Sequence, residues 1–205
     1  MSSSNVLQTY FQKYGVENLQ SDAIAFYAMI DEINKTLPST AQSIVQELND
    51  QRTNLKLIAS ENYSSLATQY AQGNLLTDKY AEGIAGKKFY AGCDNVDDIE
   101  LEAAKIACEL FGSDHAYVQP HSGSDANLLA FLAILTAKIE DPMIEKLGET
   151  NPAKINESEW NKIREAFHSQ KLFAMDYYSG GHLTHGYRHN YSSILFDVHP
   201  YTVEK

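Results

Sequence analysis

The segment His115-Ala-Tyr-Val-Gln-Pro-His-Ser-Gly-Ser-Asp-Ala-Asn joins a strand-like run to a long apolar helix. Residues 115–119 are typical of a β-strand that Pro120 ends, and a helix is predicted from about Asp125 to Ala137. A Ser-Gly-Ser turn lies between them. A strand, a turn and a helix in this order form the first unit of a layered α/β domain, so the sequence predicts an α/β fold.

The Ser-Gly-Ser turn at the start of this helix has two interpretations. Ser122, Gly123 and Ser124 would present backbone N–H groups and hydroxyls at the positive end of the helix dipole, which suits a phosphate dianion. The alternative is a helix start that Ser124 or Asp125 caps without any ligand. A carboxylate at Asp125 would compete for the same N–H groups, and spacing alone favours the cap.

A second glycine-containing segment, Gly180-Gly-His-Leu-Thr-His-Gly, follows a predicted strand. Two glycines let a backbone approach a bound ring closely, and His182 could lie flat against that ring. A metal site at His182 and His185 is disfavoured, because no carboxylate or thiolate adjoins the pair. The alternative is a plain turn, which the segment alone slightly favours. No metal site is predicted.

The third segment is the glycine-rich stretch 79–93, which carries Tyr80, Glu82 and Tyr90. In a site that excludes water, the phenols of the two tyrosines and the carboxylate of Glu82 could take part in proton transfer. The stretch is not a P-loop, because no Ser or Thr follows its lysines in the required register. The alternative is a surface loop with packed tyrosines and solvated charges, and composition favours it.

Apolar spacing predicts the remaining elements. Residues 63–92 are predicted to form a long loop, and the polar stretch 138–170 one or two surface helices. Further helices are predicted before Gly15, from Asp22 to Pro38, over 40–51 and over 98–111 with Gly112 as C-cap, and further strands over 55–59, 171–175 and 194–198.

Composition indicates a soluble globular protein. The 205 residues are 43% hydrophobic and have a formal net charge of −11, which argues against nucleic acid as a partner. Cys93 and Cys108 are too few and too far apart for a disulfide framework or a zinc site. No signal peptide or membrane span is visible, so the cytoplasm is the expected location and no membrane partner is expected.

Five segments together resemble one family, the serine hydroxymethyltransferases, in both content and order. The resemblance covers roughly residues 50–200, about the first half of such an enzyme. The segments are Leu57-Ile-Ala-Ser-Glu-Asn-Tyr, Lys79-Tyr-Ala-Glu-Gly, Phe89-Tyr-Ala-Gly-Cys, Val118-Gln-Pro-His-Ser-Gly-Ser and Gly180-Gly-His-Leu-Thr-His-Gly.

The resemblance implies the N-terminal portion of the large domain of a pyridoxal-phosphate-dependent transferase of the aspartate-aminotransferase-like fold. Residues 1–52 would form a helical arm and 53–205 the first half of the large domain, with a surface insertion at 138–170. The implied reaction interconverts serine plus tetrahydrofolate with glycine plus 5,10-methylenetetrahydrofolate. The implied cofactor is pyridoxal 5'-phosphate, and the implied assembly is a homodimer or tetramer.

The resemblance also implies roles for individual residues. Catalytic roles would fall to Glu82, His182 and Tyr90. The other roles are cofactor binding by Ser122, Gly123, Ser124, His182 and Tyr80, substrate binding by Ser60, Tyr80, Glu82 and Tyr90, and folate binding by Gly181, Leu183 and Glu82.

Two features of the family are not found in the sequence, the Schiff-base lysine segment and the motif with the aspartate that pairs with the pyridine nitrogen of the cofactor. The Thr-His-Lys segment that carries the Schiff-base lysine does not occur in residues 1–205, so the chain is expected to need the C-terminal half of the enzyme and to be inactive alone. Two alternatives remain open. The chain could be a non-catalytic dimerisation or subunit-binding fragment, or part of a related pyridoxal-phosphate aldolase or racemase.

Overall fold

The computed structural model describes residues 6–187 and 197–201, and the chain divides into two compact units, Met1–Tyr80 and Ala81–Lys205. The first unit is helical, and the second combines helices with two small sheets. The α/β prediction is therefore confirmed in its coarse form: the described part of the chain is mostly helical and carries little sheet.

A glycine and a proline mark helix boundaries in the first unit. Gly15 has a φ of 70° and stops the first helix, and Pro38 opens the third helix, where its fixed φ is favourable. The helices are α1 (Val6–Tyr14), α2 (Ser21–Thr36), α3 (Pro38–Thr53) and α4 (Leu66–Gln72), with 3₁₀ turns at Val16–Asn18 and Leu75–Asp78.

A buried carboxylate anchors α1 on α2. Asp31 accepts hydrogen bonds from the backbone N–H groups of Val6 and Leu7, each at 3.0 Å, and so satisfies the unpaired donors at the start of α1. Ile30 on α2 and Ala41 on α3 are also buried and belong to the apolar core of the first unit.

The second unit contains more elements, and the candidate site lies among them. Its helices are α5 (Asp94–Phe111), α6 (Gly123–Leu135), α7 (Asp141–Lys146), α8 (Glu157–His168) and the short α9 (Leu183–Gly186), and its strands are β1 (Gly83–Ile84), β2 (Lys87–Lys88), β3 (Lys171–Met175) and β4 (Asp197–Tyr201). A π-helical turn (Thr136–Glu140) joins α6 to α7, and 3₁₀ turns lie at Pro152–Lys154 and Tyr177–Ser179.

Each sheet of the second unit has two strands. β1 and β2 form an antiparallel hairpin in which Gly83 pairs with Lys88, whereas β3 and β4 are parallel, with Lys171 opposite Asp197. Parallel strands require a crossover connection, and here that connection includes α9. The site therefore lies where the chain leaves the carboxyl end of β3.

Most predicted helices are confirmed, with boundaries that differ by a few residues. The helix predicted over 98–111 begins earlier, at Asp94, and ends as expected at Gly112, which has a φ of 65°. The polar stretch 138–170 contains α7 and α8, as predicted, and each helix buries an isoleucine, Ile144 or Ile163. The identification of this stretch as an insertion stays a prediction.

Two predicted strands were wrong. Residues 55–59 and 115–119 form no regular strand, although 171–175 does as predicted. An extended run becomes a strand only when a neighbour satisfies its backbone groups, and within 6–187 and 197–201 the only paired strands are β1 with β2 and β3 with β4. The predicted strand 194–198 begins outside the described residues, and its described part lies in β4.

Two further expectations changed. The predicted long loop over 63–92 contains α4, a 3₁₀ turn and the β1–β2 hairpin. The predicted boundary after residue 52 lies close to the end of α3, but the compact units divide after Tyr80, so 53–80 belongs to the first unit. The assignment of 1–52 and 53–205 as family domains stays a prediction.

Candidate functional site

A cleft of about 410 Å³ opens beside β3 and α9 in the second unit. Its volume lies within the range of about 300–1,000 Å³ that is usual for clefts that bind small molecules. The cleft is lined by Phe131, Leu172, Phe173, Ala174, Met175, Gly180, Gly181, His182 and His185. The second sequence-predicted segment, with both of its histidines, is therefore part of a concave surface.

The two glycines of this cleft are required by the backbone itself. Gly180 has a φ of 92°, which disfavours any other residue. A Cβ at Gly181 would collide with the carbonyl oxygen of Met175 and lie 2.7 Å from that of Asp176. The turn packs tightly against the end of β3, so it holds the following His182 at a defined place on the cleft wall.

His182 is held by the start of α9. Its Nδ1 atom accepts a hydrogen bond from the backbone N–H of Thr184 at 3.2 Å and also contacts the Thr184 hydroxyl. Thr184 is completely buried. Because Nδ1 acts as the acceptor, the neutral ring carries its proton on Nε2.

Thr184 also connects α9 to α6. The side-chain amide of Asn127 donates to the Thr184 hydroxyl at 3.5 Å, at the limit of a hydrogen bond. Asn127 lies about one turn from the start of α6. The helix that begins at the predicted phosphate-binding turn is therefore joined to the predicted ring-stacking histidine through one buried threonine.

His185 lines the same cleft in a less polar setting. Burial, and then the nearby His182, lower the pKa of His185 below its ordinary value. Its Nδ1 is buried without a hydrogen-bond partner in the described part of the chain. His185 thus contributes a predominantly neutral imidazole to the wall of the cleft.

The start of α6 is capped by Ser122. The Ser122 hydroxyl accepts a hydrogen bond from the backbone N–H of Asp125 at 3.1 Å. The predicted cap at Ser124 or Asp125 was therefore wrong, and the capping residue is Ser122, which is also one of the predicted phosphate ligands. A Cβ at Gly123 would meet nothing within 4 Å. Ser122 and Gly123 are both exposed, and a serine hydroxyl that accepts one bond can still donate its proton to another group.

Glu82 and Tyr90 flank the β1–β2 hairpin. The phenol of Tyr90 donates to the Oε2 carboxylate oxygen of Glu82 at 2.8 Å, and both residues are exposed. This hydrogen bond, followed by the negative charge of Glu82, raises the pKa of Tyr90. The two predicted proton-handling residues are brought together.

Four further predicted site residues are distributed over both units. Ser60 lies in an exposed turn of the first unit, and Tyr80, 73% exposed, is the last residue of that unit. Ser124 is half-buried in the first turn of α6, and Leu183, 51% exposed, opens α9 beside His182.

Several residues that position the site were not predicted from the sequence. Thr184 and Asn127 lie inside recognised segments, but their mutual contact joins positions 57 residues apart. Lys88 in β2 and Glu100 on α5 form an ion pair at 2.8 Å. Long-range pairs of this kind have no periodic signal in a sequence.

Comparison with known proteins identifies the family. A family model described as serine hydroxymethyltransferase matches residues 33–145. The chain belongs to the serine hydroxymethyltransferase family. The match covers two of the three predicted site segments, those that contain Glu82 and Ser122, and it confirms the resemblance found in the sequence.

Curated serine hydroxymethyltransferases align with nearly the whole chain. The protein from Treponema pallidum is 51% identical over 203 residues, which cover 99% of this chain and 35% of that protein. The protein from Chlamydia trachomatis is 46% identical over 202 residues, 98% of this chain and 41% of that protein. The chain thus spans little more than a third of the length of the relatives it matches.

Two further observations concern the described residues alone. No helix among them is long and apolar enough to cross a membrane. They also contain no group of three or more histidine, cysteine, aspartate or glutamate side chains arranged to hold a metal ion.

Proposed function

We propose that this chain is part of a serine hydroxymethyltransferase that interconverts serine plus tetrahydrofolate with glycine plus 5,10-methylenetetrahydrofolate, using pyridoxal 5'-phosphate. Family membership supports the reaction, and one relationship carries the assignment of the site. Asn127 near the start of α6 and His182 on the cleft wall meet at the same buried residue, Thr184. A helix start suited to phosphate and a ring suited to stacking thus belong to one structural cluster.

The phosphate of the cofactor would bind at the start of α6. Ser122, Gly123 and Ser124 offer backbone N–H groups at the positive end of a 13-residue helix, and the absence of any contact within 4 Å of a Gly123 Cβ leaves room for the phosphate oxygens. Tyr80 is a further proposed ligand of the cofactor. When bound, the cofactor supplies an electron sink for chemistry at the amino-acid carbon.

The cofactor ring would pack against His182. The hydrogen bond that Nδ1 accepts from Thr184 limits rotation of the imidazole, so the face of the ring is presented in a defined orientation. Gly180 and Gly181 line the same cleft and form the tight turn that places His182 on its wall. We assign Gly181 and Leu183 to the folate side of the same wall.

Glu82 and Tyr90 would handle the proton of the substrate hydroxyl. The Tyr90 phenol donates to one carboxylate oxygen of Glu82 at 2.8 Å and so limits the rotation of this carboxylate. A carboxylate held in this way can accept a proton from a hydroxyl placed beside it. Ser60, Tyr80, Glu82 and Tyr90 are the proposed substrate contacts, and Glu82 is also a proposed folate contact.

The proposal extends to fold and assembly. The family's fold is the aspartate-aminotransferase-like large domain, of which this chain would form the N-terminal portion, and the proposed assembly is a cytoplasmic homodimer or tetramer. The lysine that binds the cofactor covalently would come from the C-terminal half of the enzyme. We therefore propose that activity requires that half.

A non-catalytic fragment that binds another subunit is the second candidate. One observation favours it: α5 exposes large apolar side chains at its C-terminal end, with Ile106 53%, Leu110 73% and Phe111 79% exposed. Side chains of this size on one helix end are typical of surfaces covered by another polypeptide. A related pyridoxal-phosphate aldolase or racemase has no comparable support from the described residues.

A chimaera tests the proposed function. In it, the region of the Treponema pallidum protein that aligns with this chain is replaced by residues 1–205, and the interconversion of serine and glycine with tetrahydrofolate is measured. Activity in the chimaera together with no turnover by the 205-residue chain alone is the expected result. A folded chimaera that binds its partner subunit but shows neither cofactor binding nor turnover would favour the non-catalytic fragment.

Variants of the chimaera test the site. His182→Ala is expected to weaken binding of pyridoxal phosphate, measured by equilibrium dialysis, because the stacking surface is lost. His168→Ala is the matched control, since His168 is exposed at the end of α8 and lies outside the cleft. Equal cofactor affinity in the two variants would remove His182 from the site.

A further inference from the structure

The β1–β2 hairpin is too short to be stable by itself. Each strand has two residues, and isolated two-stranded hairpins are at best marginally stable in water. Gly83 has a φ of 104°, and a Cβ there would lie 2.7 Å from the Lys87 carbonyl oxygen, so the two strands are already at their closest approach. Contacts from outside the hairpin must therefore hold it in place.

Lys88 of β2 makes one of these contacts, with Glu100 on α5. Its side chain is only 3% exposed, and its Nζ donates to both carboxylate oxygens of Glu100 on α5 at 2.8 Å and to the carbonyl oxygen of Gly83 at 3.0 Å. Three acceptor atoms thus match the three donors of the ammonium group. The same amine holds the two strands together and ties them to α5.

Two neighbours complete the attachment. The Gln119 side-chain amide donates to the Gly83 carbonyl and to Glu100, each at 2.9 Å, and Asp97 accepts from the backbone N–H of Gly86 at 2.8 Å. Asp97 also lies 3.8 Å from the Lys88 amine. A buried charge is stable only when it is paired and hydrogen-bonded, and Lys88 meets both conditions.

Glu82 and Tyr90 lie at the two open ends of this hairpin. Glu82 directly precedes β1, Tyr90 follows β2 by two residues, and the backbone N–H of Phe89 donates to the Glu82 carbonyl at 3.0 Å. The separation of the Tyr90 phenol and the Glu82 carboxylate is therefore set by how the hairpin is held.

We propose that Lys88 is a positioning residue, whose buried ammonium group fixes the hairpin on α5 so that Glu82 and Tyr90 meet in their hydrogen bond. That this pair handles the substrate proton rests on the proposed function. The positional effect itself does not, because it concerns the protein without any ligand. Lys88 acts on the pair through the backbone of β1 and β2.

The neighbouring Lys87 provides a matched control. Successive residues of a strand face opposite sides, and Lys87 is exposed whereas Lys88 is buried. Lys87→Met and Lys88→Met remove the same charge and retain a long side chain, but only Lys88→Met removes the contact with Glu100. Lys88→Arg keeps the charge and tests for rescue.

The first readout is the titration of Tyr90, followed by NMR of the protein labelled with ¹³C at the tyrosine ζ carbon. Tyr90→Phe identifies the Tyr90 signal. Lys88→Met is expected to move the Tyr90 pKa down towards the ordinary tyrosine value of about 10, because the phenol separates from Glu82. Lys88→Arg is expected to return part of the shift, and Lys87→Met to leave it unchanged.

The second readout is kinetic and uses the chimaera. Lys88→Met is expected to lower kcat by about tenfold to a hundredfold, because small misplacements of catalytic groups have effects of this size, while KM for serine changes far less. Circular dichroism identifies variants that fold. If Lys88→Met does not fold, Glu100→Gln replaces it, since it removes the partner's charge and keeps its shape.

The outcomes separate the two proposals. An unchanged Tyr90 titration in folded Lys88→Met or Glu100→Gln, or an equal change in Lys87→Met, overturns the positioning role. A shifted titration in Lys88→Met combined with an inactive wild-type chimaera leaves the positioning role intact and rejects the proposed function.

Discussion

The Nδ1 atom of His182 accepts the backbone N–H of Thr184 at 3.2 Å, and Thr184 is completely buried. A residue proposed to face the cofactor is thus oriented by one that no ligand can reach. Through the Thr184 hydroxyl the same contact extends to Asn127 on α6. The orientation of the imidazole and the packing of α9 against α6 therefore depend on one side chain.

Replacement of Thr184 by valine should affect both stability and the site. The hydroxyl is lost with little change of volume, and the Asn127 amide and His182 lose a buried partner. We expect the free energy of unfolding to fall by about 1–3 kcal/mol, measured by urea denaturation. Thr36→Val, at the exposed end of α2, is the control. Equal stability of the two variants would show that the hydroxyl contacts contribute little.

The contact between Glu82 and Tyr90 should determine the pKa at which Tyr90 titrates. The hydrogen bond from Tyr90 and the negative charge of Glu82 raise the pKa of Tyr90, so Glu82→Gln should lower that pKa towards its ordinary value. A raised pKa in the folded state stabilises the fold below about pH 10, the ordinary tyrosine value, and this contribution is lost as the pH rises through the folded-state value. The ¹³C signal of Tyr90 reports the change directly.

Glu102→Gln serves as the control for this titration. Glu102 is exposed on α5. The interpretation fails if Glu102→Gln and Glu82→Gln move the Tyr90 signal equally, because a general change in net charge would then explain the shift.

The sequence was sufficient to predict elements with strong local signals. The helix that ends at Gly112 and the strand at 171–175 were predicted because capping glycines and short apolar runs act over a few residues. The segments that carry Glu82, Ser122 and His182 were also noticed from local residue patterns, but those patterns alone favoured a surface loop, a helix cap and a plain turn, and the site roles came from the family resemblance.

Features that depend on distant partners were not predictable. Residues 115–119 have the composition of a strand but no partner strand among the described residues, and Gln119 instead bonds Gly83 and Glu100 through its side chain. The buried Lys88 appears in the sequence as one of two adjacent lysines, and only the position of Glu100 on α5 distinguishes it from Lys87. Burial of a charge depends on tertiary contacts, which periodicity does not encode.

His185 should titrate below its ordinary pKa. Burial disfavours the charged imidazole, and His182 adds a smaller repulsion, so the pKa of His185 is lowered from about 6.5. A lowered pKa makes the contribution of His185 to stability complete above about pH 6.5, and it is lost as the pH falls through the folded-state value. Proton NMR of the imidazole C2 signals tests this, with His168→Ala and His185→Ala as assignment variants. A His185 signal that titrates at or above the ordinary histidine value of about 6.5 would contradict the assigned burial.

Alanine substitutions at Gly181 and at Gly123 are expected to affect different properties, the first stability and the second cofactor binding. A Cβ at Gly181 would collide with the backbone of Met175, whereas one at Gly123 would meet nothing within 4 Å. Gly181→Ala is therefore expected to destabilise the protein by about 2–4 kcal/mol, as overpacking against rigid backbone does. Gly123→Ala should leave stability unchanged or raise it by up to about 1 kcal/mol, since alanine is favoured in a helix.

If the start of α6 binds the cofactor phosphate, Gly123→Ala should nevertheless weaken binding of pyridoxal phosphate, because the added methyl group occupies space next to the first turn of the helix. Thermal unfolding and equilibrium dialysis on the same samples measure both effects. Unchanged cofactor affinity in stable Gly123→Ala would place the phosphate elsewhere, even if Gly181→Ala behaves as expected.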